Sequence, residues 1–269
     1  MHRRAIPALR LRRLLLVGGV TSALLGAAGP HPTPAAIESE LVDLPGGTEG
    51  WLLRVDLKRA RLRVLDAQDY GQKSLTAAEF QRRSGAVAVW NGPFFDENGK
   101  PLGLLIEDGR KRNPLRNVDW GVFYEDSTGA HIVHTKEWKE PQGVLQAIQV
   151  GPRLVVDRVP VSLKPQSARR TAMCLQDAEH LLVLVTDAEL QASDLASLFV
   201  AHRCQDALNL DGGPSTQLVA RLPGRTIDLR GGWPVPVAIG IFAEGGPTPA
   251  TDSGCACSAP PRADPSASR

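Results

Sequence analysis

The stretch SDLASLFVAHRCQDALNLDGGPSTQLV, residues 193–219, changes its periodicity twice. Leu195, Leu198, Phe199 and Cys204 fall on one apolar stripe, so the first half reads as an amphipathic helix opened by Ser193. That helix delivers an apolar strand, ALNL, which stops at Asp211-Gly212-Gly213 before a second strand-like pair, Leu218-Val219. A tight turn accounts for the glycines and the proline. It does not by itself account for a carboxylate and two hydroxyls, Ser215 and Thr216, gathered where a strand ends, a position from which scaffolds commonly present reactive groups. The serine-hydrolase elbow G-x-S-x-G does not match, because Pro214 precedes Ser215 and no glycine follows at the required place.

Working outward, strand signals dominate. GWLLRVDL (50–57), RLRVLDA (61–67), AVAVWN (86–91), LGLLIEDG (102–109), WGVFYED (120–126), AHIVHT (130–135), AIQVGPRLVVD (147–157) and HLLVLVTDA (180–188) are apolar or alternating runs bounded by turn residues. One further helix is expected in SLTAAEFQRRS (74–84), with Ser74 as its N-cap. The expected fold class is α+β: a single domain over 37–244 with mixed, largely antiparallel β-sheets and a few packed helices.

The 269 residues are 42% hydrophobic and 22% charged, enough for one sizeable core. With 31 Lys and Arg against 29 Asp and Glu, no charge excess points to a nucleic-acid partner. Arginines at 3, 4, 10, 12 and 13 precede an uncharged apolar run from Leu14 to Ala28, shorter than the roughly 20 residues of a membrane span. Residues 1–36 therefore read as a signal peptide and leader, which implies a secreted, periplasmic or cell-envelope protein. Membrane attachment would require that segment to remain uncleaved. Residues 245–269, rich in Gly, Pro, Ser and Ala, read as a disordered tail carrying Cys255 and Cys257. Cys174 and Cys204 are either a disulfide or two buried thiols.

Three more segments could carry chemistry. In VWNGPFFDENGKP (89–101) a hairpin turn explains Asn98-Gly99, whereas Asn91, Phe94 and Asp96 are free to meet a ligand, the ring by facing a sugar. In QVGPRLVVD (149–157), Gly151-Pro152 breaks a strand and Arg153 follows in apolar surroundings; solvent exposure by alternation is the plain explanation. SARRTAMCLQ places Arg169, Arg170 and Thr171 ahead of a strand, and two arginines in one cleft would clamp an anion. Asp187 and Asp194 have helix capping as their plain explanation. His131 and His134 point to opposite sides of a strand, and neither a metal spacing, a dinucleotide fingerprint nor a P-loop is present.

Taken in order, NGPFFDENGKPLGLLIEDG, VGPRLVVD, RRTAMCL, LVTDA and ALNLDGGPSTQLV resemble the phosphodiester glycosidase family, over about Ala86 to Phe242. Pro93 and Pro214 depart from it, standing where members commonly carry glycine and removing an amide N–H at each place. The resemblance implies hydrolysis of a sugar-1-phosphodiester, in envelope or exopolysaccharide metabolism, on a glycan or sugar-phosphate substrate. It implies Asp211 as nucleophile or base, with Asp96 and Asp187 as further carboxylates. Arg153 and Arg170 would hold phosphate. Asn91, Phe94, Thr171, Asn209, Gly212, Gly213 and Ser215 would contact or orient the sugar. No cofactor is required by this reading, and a divalent cation among the carboxylates is compatible with it. Two alternatives stay open: a carbohydrate-binding envelope protein without catalysis, and a glycosidase acting on neutral polysaccharide with a second carboxylate near Asp211.

Overall fold

A computed structural model describes residues 35–243. The leader through residue 34, the tail from 244 and Cys255 and Cys257 lie outside the described residues. In chain order the strands are β1 (Ile37–Leu44), β2 (Thr48–Asp56), β3 (Ala60–Asp66), β4 (Ala88–Asn91), β5 (Leu105–Glu107), β6 (Arg110–Asn113), β7 (Gly121–Asp126), β8 (Gly129–His134) and β9 (Gln146–Val150). They continue as β10 (Arg153–Val156), β11 (Val159–Pro160), β12 (Ser167–Leu175), β13 (His180–Gln191), β14 (Asp206–Asn209), β15 (Leu218–Leu222), β16 (Arg225–Leu229) and β17 (Val237–Ala243). Two α-helices, α1 (Ala77–Ser84) and α2 (Ala192–Ala201), accompany them.

The strands form a seven-stranded sheet in the order β1-β2-β13-β12-β14-β10-β11 and two five-stranded sheets, β16-β15-β4-β17-β3 and β6-β5-β9-β7-β8. Their pairings are antiparallel, giving the α+β, mainly β, single domain that the strand pattern predicts. One central core takes side chains from all three sheets, among them Leu53, Val64, Trp90, Phe123, Ile148, Met173, Val183, Leu208 and Ile239.

The central strands of the first two sheets are buried on both faces, and the sequence carries the mark of that. Along β13, Leu181, Val183 and Val185 face the central core, while Leu182 and Leu184 pack with Leu195, Ala196 and Phe199 of α2. Helix α1 covers the second sheet likewise, setting Phe80 against Val89, Val219 and Ala238. Runs such as HLLVLV lose the polar alternation of a half-exposed strand because neither face meets water. Among the described residues no helix is long and apolar enough to cross a membrane.

Both expected helix starts are corrected. Helix α1 is capped by Thr76, not Ser74: the Thr76 hydroxyl accepts from the Glu79 amide and the Glu79 carboxylate accepts from the Thr76 amide, a reciprocal capping box. Helix α2 begins at Ala192 after Gln191, with no side-chain cap, because β13 runs unbroken to Gln191 and the chain turns directly into the helix. Ser193 and Asp194 then both sit in the first turn, where the negative charge of Asp194 meets the positive end of the helix dipole. Arg169, Arg170 and Thr171 belong to β12 rather than preceding it, and a register shift between Ala168 and Arg170 falls at Arg169. Cys174 and Cys204 form a disulfide that ties β12 to the chain just after α2.

Candidate active site

Asn91, the last residue of β4, is fully buried. Its Nδ2 donates to the Asp211 carbonyl at 2.7 Å, and its Oδ1 accepts from Thr171 Oγ1 at 2.6 Å and from the Gln217 amide at 3.2 Å. The backbone closes the same knot. Asp211 N–H donates to Gly92 O at 3.4 Å, Leu210 N–H to Thr171 O at 2.9 Å and Asn209 N–H to Pro152 O at 3.0 Å. Segments around 91, 152, 171 and 211 thus meet at the end of β14.

The turn itself needs its glycines. A Cβ on Gly212 would lie 2.6 Å from the Arg169 carbonyl oxygen, and Gly213 has φ +57°, a left-handed backbone that glycine adopts without strain. Pro214 and Ser215 complete a 3-10 turn over Gly213–Ser215, where a proline is pre-organised in its first residues. The missing N–H of Pro214 leaves its carbonyl in use, accepting from Gly232 N–H at 2.7 Å.

Asp211 is half-buried, and burial pushes its carboxyl above the usual carboxylate range. A hydrogen bond from the Ser215 hydroxyl and one from the Gly212 amide, at 3.0 Å to Oδ1, pull the other way without cancelling it. Ser215 in turn accepts from Trp233 Nε1 at 2.9 Å. A desolvated carboxylate held by neutral donors is a reactive base or nucleophile, since little solvation has to be removed before it attacks. The Gly212 N–H, expected to orient substrate, is committed to Asp211.

The other expected site residues are placed as follows. Asp96 closes its own turn, with Oδ1 accepting from Asn98 N–H and Lys100 N–H, both at 2.9 Å. Asp187 lies in β13 and pairs with Arg169 at 2.5 Å, rather than capping α2. Phe94 packs on Trp120 with ring centroids 5.2 Å apart, and the Arg116 guanidinium lies 5.9 Å from the Trp120 ring centre. Asn209 donates from Nδ2 to Leu210 O at 2.6 Å. His131 stacks on Tyr124 while His134 meets Asp119 at 2.8 Å, two separate sites.

The clamp of Arg153 and Arg170 does not form. Arg153 pairs across the strands with Leu208, which faces the central core, so the two share a face. Arg170 bonds Asn209 Oδ1 at 3.5 Å on the opposite face and donates to Leu190 O at 3.0 Å and to Gln166 O. Strand alternation sends the two guanidiniums to opposite sides of the sheet. Arg170 is 3% exposed, and burial without a carboxylate partner lowers its pKa.

Gln217 and Trp233 escape sequence reasoning, and Arg169, offered by the sequence for an anion clamp, turns to backbone carbonyls instead. Arg169 reaches Thr216 O at 3.2 Å and Arg230 O at 3.0 Å. Gln217 accepts from Ala77 N–H at 2.6 Å and donates to Ser215 O at 3.1 Å and Trp233 O at 3.2 Å. Trp233 belongs to GGWP (231–234), whose paired glycines flanking an exposed aromatic were the available signal. Among the described residues no three His, Cys, Asp or Glu side chains gather so as to hold a metal ion.

The model of the phosphodiester glycosidase family matches residues 84–242. The chain belongs to the phosphodiester glycosidase family. That range runs from the end of α1 to the end of β17 and takes in Asn91, Pro152, Thr171 and Asp211. The fold is shared with the zebrafish N-acetylglucosamine-1-phosphodiester alpha-N-acetylglucosaminidase catalytic domain auto-inhibited by its pro-peptide, at 17% identity and a TM-score of 0.61, over 81% of this chain and 87% of that one. A hypothetical protein from Synechocystis is similar at 16% identity and a TM-score of 0.58, over 77% of this chain and 62% of that one. A Burkholderia pseudomallei protein described as exported follows at 12% identity and a TM-score of 0.53, covering 72% and 74%. No curated protein sequence matches the chain. The family is one of hydrolases of the glycosidase type.

Proposed function

We propose that this protein is an exported hydrolase that cleaves the bond between the anomeric carbon of a sugar and a phosphodiester oxygen, acting on envelope or exopolysaccharide material. The observation that carries the reading is the Asp211 carboxylate, desolvated and held by Ser215 and Gly212 where the Asn91, Pro152 and Thr171 segments meet.

A phosphodiester leaves as a weakly basic anion and needs little protonation, whereas a neutral glycoside requires a general acid opposite the nucleophile or base. Asp211 attacks the anomeric carbon, or activates the water that does, as the bond to phosphate breaks. Asp96 and Asp187 are occupied by a turn and by Arg169, which supports a reaction that leans on one carboxylate. Arg153 opens β10 immediately after Pro152, one strand from Asp211, and supplies cationic stabilisation for the departing phosphate. Phe94 and Trp120 offer aromatic faces to the sugar. Export is supported by the leader and by the Cys174–Cys204 disulfide, a bond that persists in oxidising compartments.

The test sets a methylated sugar-1-phosphate and a UDP-sugar beside a neutral nitrophenyl glycoside. Release of sugar from the phosphodiesters, with the nitrophenyl glycoside untouched, is the expected result. Asp211→Asn abolishes that turnover without lowering the melting temperature; retained turnover ends the role given to Asp211, and saturable binding with no product identifies a carbohydrate-binding protein instead.

A further inference from the structure

Trp233 is 49% exposed, so burial of its ring does not explain its position. Its indole nitrogen does. Nε1 lies 2.9 Å from Ser215 Oγ, and an indole N–H can only donate. The Ser215 oxygen is therefore the acceptor of that bond, and its own single hydrogen is left for another acceptor; Asp211 stands four residues earlier in the same turn, which the Ser215 N–H closes on Gly212 O at 3.2 Å. Ser215 is 1% exposed, so bulk water does not compete for either bond.

The segment that brings Trp233 here is seated on the Asp211 turn. Gly232 N–H donates to Pro214 O at 2.7 Å, and Gln217 Nε2 donates to Trp233 O at 3.2 Å. A Cβ on Gly231 would stand 2.9 Å from Gln217 Nε2, and one on Gly232 3.0 Å from Pro214 Cβ. The paired glycines let the segment lie against the turn, and Gln217 also meets Asn91.

We propose that Trp233 is a positioning residue for the reaction: its N–H fixes the Ser215 hydroxyl so that the hydroxyl donates to Asp211. The proposal rests on the role given to Asp211 above. Charged groups on the packed elements are engaged elsewhere, save Arg153, which is given to the phosphate above. Arg169 of β12 pairs with Asp187 of β13, Arg230 pairs with Asp228 of β16, Arg170 bonds on the far face of the sheet, and Arg153 lies on β10. Besides burial, the influences acting on Asp211 are the Ser215 hydroxyl and the Gly212 amide.

The experiment uses the full chain and four variants, Ser215→Ala, Trp233→Phe, the double variant, and one with Trp233 replaced by benzothienylalanine, which keeps the ring shape without the N–H. The Asp211 carboxyl carbon, identified by its loss in Asp211→Asn, is titrated by carbon NMR, and kcat/KM on a sugar-1-phosphodiester is followed against pH. Ser215→Ala is expected to move the titration and the acid limb up by about one pH unit and to lower kcat by about tenfold with KM nearly unchanged. Both Trp233 replacements move them the same way by less, and the double variant moves them no further than Ser215→Ala. A Trp233 variant that titrates as wild type, or a double variant in which the shifts add, overturns the proposal. Titration shifts in the variants, with no phosphodiester hydrolysed by the wild-type protein, remove the proposed function and leave the positioning role standing; turnover with unshifted Trp233 variants does the reverse.

Discussion

At the scale of single residues, Asn91 illustrates what a sequence can and cannot disclose. Its place beside Gly92-Pro93 marks it as a site residue, and the natural expectation is an amide offered to a ligand. The structure uses that amide to bind Asp211 O, Thr171 Oγ1 and Gln217 N. Truncation strands several buried groups at once, so Asn91→Ala should cost about 3 kcal/mol of unfolding free energy, read from the denaturant midpoint. Activity should fall together with stability, whereas Asp211→Asn should lose activity and keep its stability. The convergence on Asp211 was legible because turn chemistry left its carboxylate unexplained. The opposed directions of Arg153 and Arg170 were not, because a face is fixed only by strand register, and β12 shifts register between Ala168 and Arg170. Trp233 was hidden for a different reason: its partner, Ser215, is 18 residues away and only the fold brings them together.

Among elements, strands were easier to place than helix ends. Apolar runs of β2, β3, β7 and β13 identify themselves by composition, whereas Ser74 and Thr76 are both acceptable caps until the chain chooses. Thr76 has Glu79 three residues on to complete the reciprocal bond, and Ser74 does not. Thr76→Ala should therefore cost about 1 kcal/mol, and Ser74→Ala close to nothing, in thermal melts of the two variants. The disulfide is the other element-level tie. It closes a separation of 30 residues between β12 and the end of α2, for which loop-closure entropy gives about 3 to 4 kcal/mol. Replacing Cys174 and Cys204 together by serine should lower the unfolding midpoint accordingly, and reductant should do the same to wild type but not to the double variant.

For the whole molecule, stability should depend on pH through a group with no part in the site. Glu125, on β7, is pushed up to about 7 chiefly by burial, with Asp126 adding to it. Its unfolded value is the ordinary one near 4.3, so the folded state holds the extra proton between the two. Stability is fully present below the unfolded value and is lost as pH rises through about 7. Melting temperatures should accordingly fall from pH 5 to pH 8, and Glu125→Gln should flatten that fall.

The knot at Asn91 has a kinetic consequence. Asn91 and Asp211 are 120 positions apart, Thr171 and Asn91 80, so the strands that frame the site lie far apart along the chain. No early, local stage of refolding contains the site, and contacts of such long separation form slowly. Regained turnover should therefore track the last phase of refolding seen by tryptophan fluorescence, and a chain cut between β4 and β14 should recover none until both pieces reassociate.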